Sequence, residues 1–290
     1  RGAATSVDTL RVRGDDNSRI FALSAGGAGA VASGSSSGGS GGGGGSGSSA
    51  IAVAGSVSVN VIKGVTSADF AYSTAALDTG DARVTARDHS LITAAAGGLS
   101  FSFASGQQGS STALAAGVAA ALNIIDGGAR AGVSNAGLTW ADGAAGDLTV
   151  QADSAQKIGA YTLAAAVAGA IGSQGSGVAG AGAGSGSVNL IDASTEATVR
   201  NSTVDTGMGS ISVLAADTSE IQVLAGGIAG ALGFSSSGTA AGIAFGAAFA
   251  VNIVGEEGTN SVLAEVSGSR VEGGGDVAVD AQSAATIYAL

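Results

Sequence analysis

An asparagine followed by two aliphatic residues recurs four times in this 290-residue chain: VNVI at 59–62, LNII at 122–125, VNLI at 188–191 and VNIV at 251–254. The asparagines, Asn60, Asn123, Asn189 and Asn252, are spaced by 63, 66 and 63 residues. Two further series keep the same register. Val12, Val84, Val150, Val213 and Val279 each precede an isoleucine by eight residues (Ile20, Ile92, Ile158, Ile221 and Ile287). A large apolar residue also follows each asparagine by ten positions, at Phe70, Val133, Val199 and Val262. A fixed period of this length marks a repeat architecture, in which each unit buries its apolar face against its neighbours. The units run 9–80, 81–146, 147–209 and 210–275, with a fifth begun over 276–290. The chain therefore reads as one continuous array over 1–290.

Within each unit the local period is two. Over 241–253 the large residues Ile243, Phe245, Phe249, Val251 and Ile253 alternate with Gly242, Ala244, Gly246, Ala248, Ala250 and Asn252. The stretches at 51–61 and 114–124 repeat that alternation. Strict alternation over so many residues defines a strand and would scatter side chains around a helix. Each repeat is expected to carry two long strands and two shorter ones, such as 211–214 and 262–266. Proline is absent, as an interior strand ladder requires. These features predict an all-β fold, a parallel β-helix or β-solenoid of 63–66-residue repeats, elongated along its axis. A repeat of that length suggests two or three coils. The long strands are apolar on both faces, with almost no charge. The large-residue face is expected to fill a core, and the Gly/Ala/Ser face to lie within closely approached layers or to form a flat packing surface.

The seventeen-residue run SGSSSGGSGGGGGSGSS at 33–49 looks like a linker but falls inside a unit. The corresponding places in the sister units read SGQQGSS (105–111), GSQGSG (172–177) and SSSG (235–238). The run is thus a turn insertion, expected to protrude from a continuous array, and shortening it to SSSG should leave folding intact.

Composition narrows the function classes. The net charge is −11 with no basic cluster, which argues against nucleic-acid binding through phosphate neutralisation. There is no cysteine, and His89 is the single histidine, so nucleophile–base triads and histidine-based zinc sites have too few members. His89 sits where other units have Ala155, Thr218 and Ala284, a variable place that reads as exposed. Asp81, Asp147 and Asp276 open the same strand in three units, with Ser210 in the fourth. Calcium could use such carboxylates, but the spacing does not supply the six or so oxygen ligands it takes, and turn residues before a strand are the simpler reading. Trp140, the lone tryptophan, is placed in an inter-strand connection, partly buried. No catalytic, cofactor-binding or metal residue is assigned. Asn60, Asn123, Asn189 and Asn252 are read as structural repeat positions that hydrogen-bond neighbouring backbone or amides. Direct ladders between them would need one coil per repeat, which 63 residues disfavours. The chain opens RGAATS, without a signal-peptide apolar stretch, and stops inside a unit, as expected of an internal fragment.

The period of about 64, the small/large alternating strands, the VNxI-type motif and the strand GDVAVDAQS at 275–283 resemble the repeat regions of large filamentous adhesins. These are exported Gram-negative surface proteins of the filamentous-haemagglutinin and leukotoxin-type adhesin kind. The resemblance spans essentially the whole chain and is one of repeat style. It implies a β-helical stalk at the bacterial cell surface or outside it, without catalysis, whose partners are its own neighbouring repeats and an adhesion receptor it does not identify. Lateral self-association into a matrix fibre is the alternative, through small-residue faces like those of stacked sheets. A membrane-active reading rests on small-xxx-small spacings in 163–172 and 225–234. Those segments are short for a span, so stable membrane insertion is not expected.

Overall fold

The computed structural model describes residues 5–34, 47–255 and 261–290, and every regular element among them is a strand. After β1 (Thr5–Val7), the first coil comprises β2 (Leu10–Asp16), β3 (Arg19–Gly34), β4 (Ser48–Ala71) and β5 (Thr74–Leu77). The second comprises β6 (Ala82–Asp88), β7 (Leu91–Gly106), β8 (Ser111–Ser134) and β9 (Gly137–Trp140). The third comprises β10 (Leu148–Ser154), β11 (Lys157–Gly172), β12 (Gly177–Arg200) and β13 (Thr203–Asp205). In the fourth, β14 (Ile211–Asp217) and β15 (Glu220–Ser235) precede β16 (Ala240–Val254), β17 (Ser261–Ser267) and β18 (Arg270–Glu272). The fifth begins with β19 (Val277–Ser283) and β20 (Thr286–Ala289).

Equivalent strands pair in parallel into four sheets. Sheet I is β1-β5-β9-β13-β18, sheet II β2-β6-β10-β14-β19, and sheet III β3-β7-β11-β15-β20. Sheet IV is β4-β8-β12-β16, with β17 paired to the end of β12. The registers join residues one repeat apart: Val84 to Val150, Ile92 to Ile158, and Asn60 to Asn123 to Asn189 to Asn252. Each repeat is therefore one coil, which corrects the expectation of two or three. The segment 262–266 is likewise the far end of a long strand, since its counterparts lie within the 24-residue strands β4, β8 and β12. The flanks of the Gly/Ser insertion keep register as well. Ser33–Gly34 align with Ser105–Gly106, and Ser48–Ser49 with Ser111–Thr112, while residues 35–46 of the Gly/Ser run lie outside the described residues.

A coil this long stays free of a central void because it is pinched. Sheets I and II and the far half of sheet IV enclose one core, containing Leu77, Val84, Val133, Leu138, Leu148, Val150, Val199 and Ile211. Sheet III and the near half of sheet IV instead lie face to face as a two-layered fin. The long strands are thus joined as an arc between sheets, each bonded to the next coil. Alanines fill the fin, among them Ala104, Ala113, Ala119, Ala166, Ala170 and Ala183. The layers are close. A β-carbon on Gly117 would come within 2.5 Å of the Ala165 carbonyl oxygen, and one on Gly227 within 2.7 Å of that of Ala247. At the base of the fin the sheets diverge and isoleucines take over: Ile92, Ile125, Ile158, Ile191 and Ile221.

The small-residue face is thus the inner one, as one of the two sequence expectations has it. The expectation that the large-residue face fills a core fails in the fin, where Val53, Val57, Phe101, Leu163, Ile228 and Phe245 face outward and are exposed. Through the first four coils the Val–Ile series, and the apolar residue ten positions after each asparagine, do point inward at the core and the fin base, whereas Val279 and Ile287 of the last coil are exposed.

One turn repeats after each long strand. Tyr72, Asn135, Asn201 and Gly268 occupy equivalent places with φ of 53°, 49°, 49° and 57°. Asparagine and glycine tolerate this left-handed region; tyrosine pays for its β-carbon there.

Candidate functional surface

Two features distinguish each coil, a polar spine inside and an apolar surface outside. The spine is built from the repeated asparagines, which project from the inner face of sheet IV where the fin meets its base. Asn60 Nδ2 donates to Asn123 Oδ1 at 2.8 Å, Asn123 Nδ2 to Asn189 Oδ1 at 2.7 Å, and Asn189 Nδ2 to Asn252 Oδ1 at 2.8 Å. Asn60 and Asn189 also donate to Ser58 and Ser187 two residues before them. A primary amide carries both a donor and an acceptor, so identical side chains stacked at strand spacing satisfy one another without water. Asn123 and Asn189 are fully buried. The structure thus brings all four sequence-predicted asparagines into one continuous ladder, the arrangement that the repeat length had seemed to disfavour.

A second polar column runs along the corner between sheets II and III. In Asp16, Asp88 and Asp217 one carboxylate oxygen accepts from the hydroxyl and the backbone N–H of the serine two residues on. In the third coil Ser154 and Gln156 stand instead, and Gln156 Nε2 donates to Asp88 Oδ2 at 2.5 Å. Replacing one carboxylate in the stack by a hydroxyl and adding an amide relieves repulsion between buried like charges. Burial pushes the Asp217 carboxyl above its ordinary value of 3.8, against the Ser219 bonds that lower it, and Asp153 adds to the rise. The sequence signal was the D-x-S spacing at 16–18, 88–90 and 217–219, four residues after the repeated valine.

The turn aspartates cap the next coil. Asp81 Oδ1 accepts the backbone N–H of Asp147, Asp147 Oδ1 accepts that of Ser210, and Ser210 Oγ accepts that of Asp276. Among the described residues no group of three or more His, Asp or Glu is arranged to hold a metal ion. His89 is exposed, with Nε2 at 3.6 Å from Asp153 Oδ2. Trp140 ends β9 and is buried, its Nε1 donating to the Gly80 carbonyl at 2.8 Å.

The outer surface of the fin has the opposite character. No Asp, Glu, Lys or Arg falls within 20–62, 91–125, 158–191 or 221–254, so all formal charge lies on the other half of each coil. There, cross-coil ion pairs such as Lys63–Asp126 (3.1 Å) and Lys157–Glu220 (3.0 Å) decorate solvated ground. On the sheet IV side of the fin, β4 raises a ridge of Ile51, Val53, Val57, Val59 and Val61, all exposed. Two strands away β12 carries Gly180, Gly182, Gly184 and Gly186 on the same face. Leu114 leans over Gly180 and the Phe249 ring over Gly186, while above Gly182 and Gly184 the space is open. The result is an apolar face with relief, a ridge beside a furrow. Compared with protein-family models, curated proteins and solved structures, the chain matches none.

Proposed function

We propose that this chain is a non-catalytic structural segment of a bacterial surface adhesin, a stretch of stalk or fibre exported to the outside of the cell. The observation that supports this reading is the uninterrupted in-register stacking of coils, with the same asparagine hydrogen-bonded to its counterpart in each neighbour. Such an array stabilises itself through nearest-neighbour interfaces and extends by adding repeats. The polar groups conserved in place from coil to coil are spent on one another, in the asparagine ladder and in the Asp–Ser corner.

The geometry sharpens the kind of segment. Neighbouring parallel strands are about 4.8 Å apart, so each repeat of 63–66 residues adds only about 5 Å along the axis. A 16-residue fin strand, by contrast, spans roughly 50 Å sideways. The chain invests in width more than in reach, and that favours the fibre reading over a bare spacer. Electron microscopy of chains carrying increasing numbers of the 81–275 block tests it: particles should lengthen by about 15 Å per three-repeat block at constant width. Particles that gain mass without lengthening along one axis would overturn the reading, as would failure of antibodies to this segment to label intact cells of the producing bacterium.

A further inference from the structure

We infer that the sheet IV face of the fin is a docking surface for a second copy of this chain, the ridge on β4 seating in the glycine furrow of β12. This rests on the fibre reading above and names the face that carries it, the large-residue face and not the small-residue face expected from the alternation.

Size comes first. Fourteen large apolar residues on this face are each more than a third exposed. Together they present on the order of 1,000 Å², taking about 150 Å² for a fully exposed large side chain. The largest apolar patch on a typical monomer is roughly 300–600 Å². A stable association buries about 800 Å² on each partner. The face therefore exceeds what a soluble monomer ordinarily shows, and its part on β4, β8 and β12 alone, about 700 Å² on the same scale, lies within the range a dimer buries on each partner.

Shape selects the arrangement. A two-fold axis running along β8, between two facing sheets, leaves the level along the strands unchanged and places β4 of one copy over β12 of the other. The register sets Ile51, Val53 and Val57 level with Gly180, Gly182 and Gly186. Under this axis Val53 of one copy meets the open floor at Gly182 of the other, while Ile51 and Val57 meet the Leu114 and Phe249 side chains that overlie Gly180 and Gly186. The contact is isologous, so both furrows fill at once. Charge is confined to the foot of the fin. There Lys63, Asp126 and Asp192 share one level, so the same axis sets Lys63 of each copy over Asp192 of the other, and the two Asp126 carboxylates, each paired with its own Lys63, over one another. The net charge of −11 otherwise stays off the fin. Sheet III offers no equivalent, because the glycines of its strands, such as Gly27, Gly97 and Gly230, are interleaved with Leu, Val and Phe on the same strands.

Lipid is the weaker occupant. A fluid bilayer has no use for ridge-and-furrow relief. Edge-on insertion would also drag the polar turns at 107–110 and 173–176, which include Gln107, Gln108 and Gln174, through hydrocarbon.

Sedimentation of the purified chain at micromolar concentration decides the matter. The wild type should sediment as a dimer. Val53→Lys on the ridge and Gly182→Trp in the furrow should each shift it to monomer, while Leu163→Lys on the sheet III face leaves the dimer intact. Each variant keeps its strand circular dichroism and a cooperative thermal transition matching that of the wild type diluted to monomer if only docking is lost, which separates this outcome from collapse of the solenoid itself. A monomeric wild type, a dimer insensitive to Val53→Lys and Gly182→Trp, or a dimer broken by Leu163→Lys would overturn the proposal. Flotation of the wild type with vesicles of zwitterionic lipid in preference to self-association would overturn it too.

Discussion

The side-chain amide of Asn123 donates to that of Asn189 across 2.7 Å, although 66 residues separate the two in the chain. Asn123 also accepts from Asn60, so it is bonded on both sides inside a buried sheet junction. Removing it strands a donor on Asn60 and an acceptor on Asn189. Leaving a buried polar group unpaired costs about 1–3 kcal/mol, so Asn123→Ala should destabilise the chain by about 3 kcal/mol. Asn252→Ala, which breaks only the terminal bond at a part-buried site, should cost less than half as much. Replacing all four asparagines by leucine should recover most of the loss, since no amide is then left alone. Equal effects of the two single substitutions in chemical denaturation would contradict the ladder.

The closeness of the fin layers predicts a steric effect without any change in polarity. Gly117→Val puts a branched side chain where a single β-carbon already meets the Ala165 carbonyl. Overpacking of this kind costs about 1–3 kcal/mol or more, because backbone must move. Gly184→Val lies on the outer face with open space above it and should be neutral or slightly stabilising, valine being the better strand former. Thermal denaturation of the pair separates inner from outer face directly.

Tyr72 holds a left-handed turn that its sister coils assign to Asn135, Asn201 and Gly268. Tyr72→Asn should raise stability by about 0.5–1 kcal/mol, and its exposed ring gives little packing to lose. Asn201→Tyr should do the reverse, as read in the same melt.

Burial raises the Asp217 carboxyl, so the folded chain binds its proton more readily than the unfolded chain does. Stability from this group therefore falls as pH rises from the ordinary aspartate value of 3.8 through the raised folded value, and is regained on acidification. Asp217→Asn removes that dependence. The wild type should gain on the variant in thermal midpoint as pH is lowered from neutrality towards 3.8, whereas a constant gap would count against the assignment.

The sequence made the period, the strand alternation and the parallel solenoid legible, because each follows from spacing. It left the coil number misjudged, since a round coil of 63 residues would enclose a void. Only pinching Gly117 and Gly227 against the opposite sheet removes that void. The orientation of the fin was hidden for a related reason. Alternation of Val53 and Val57 with Ala52 and Ser56 shows that two faces differ, not which one is inside. The usual preference for burying large residues loses to the closeness of the two layers. The signal that points the right way is polar: Asn60 sits on the small face, and an amide bracketed by Val59 and Val61 needs its partner in the next coil. The Asp–Ser corner went unread because Ser154 and Gln156 interrupt the D-x-S spacing in the third coil.

The central claim, one coil per repeat, is tested most directly by cross-linking in a chain that has no cysteine of its own. Val59 and Leu122 are register partners on neighbouring strands, at a separation a disulfide can bridge. Val59→Cys with Leu122→Cys should form an intramolecular disulfide in high yield under mild oxidation. Val59→Cys with Leu91→Cys, roughly half a repeat away in sequence, should not. Efficient bridging of the second pair and failure of the first would place two coils in each repeat and contradict the account.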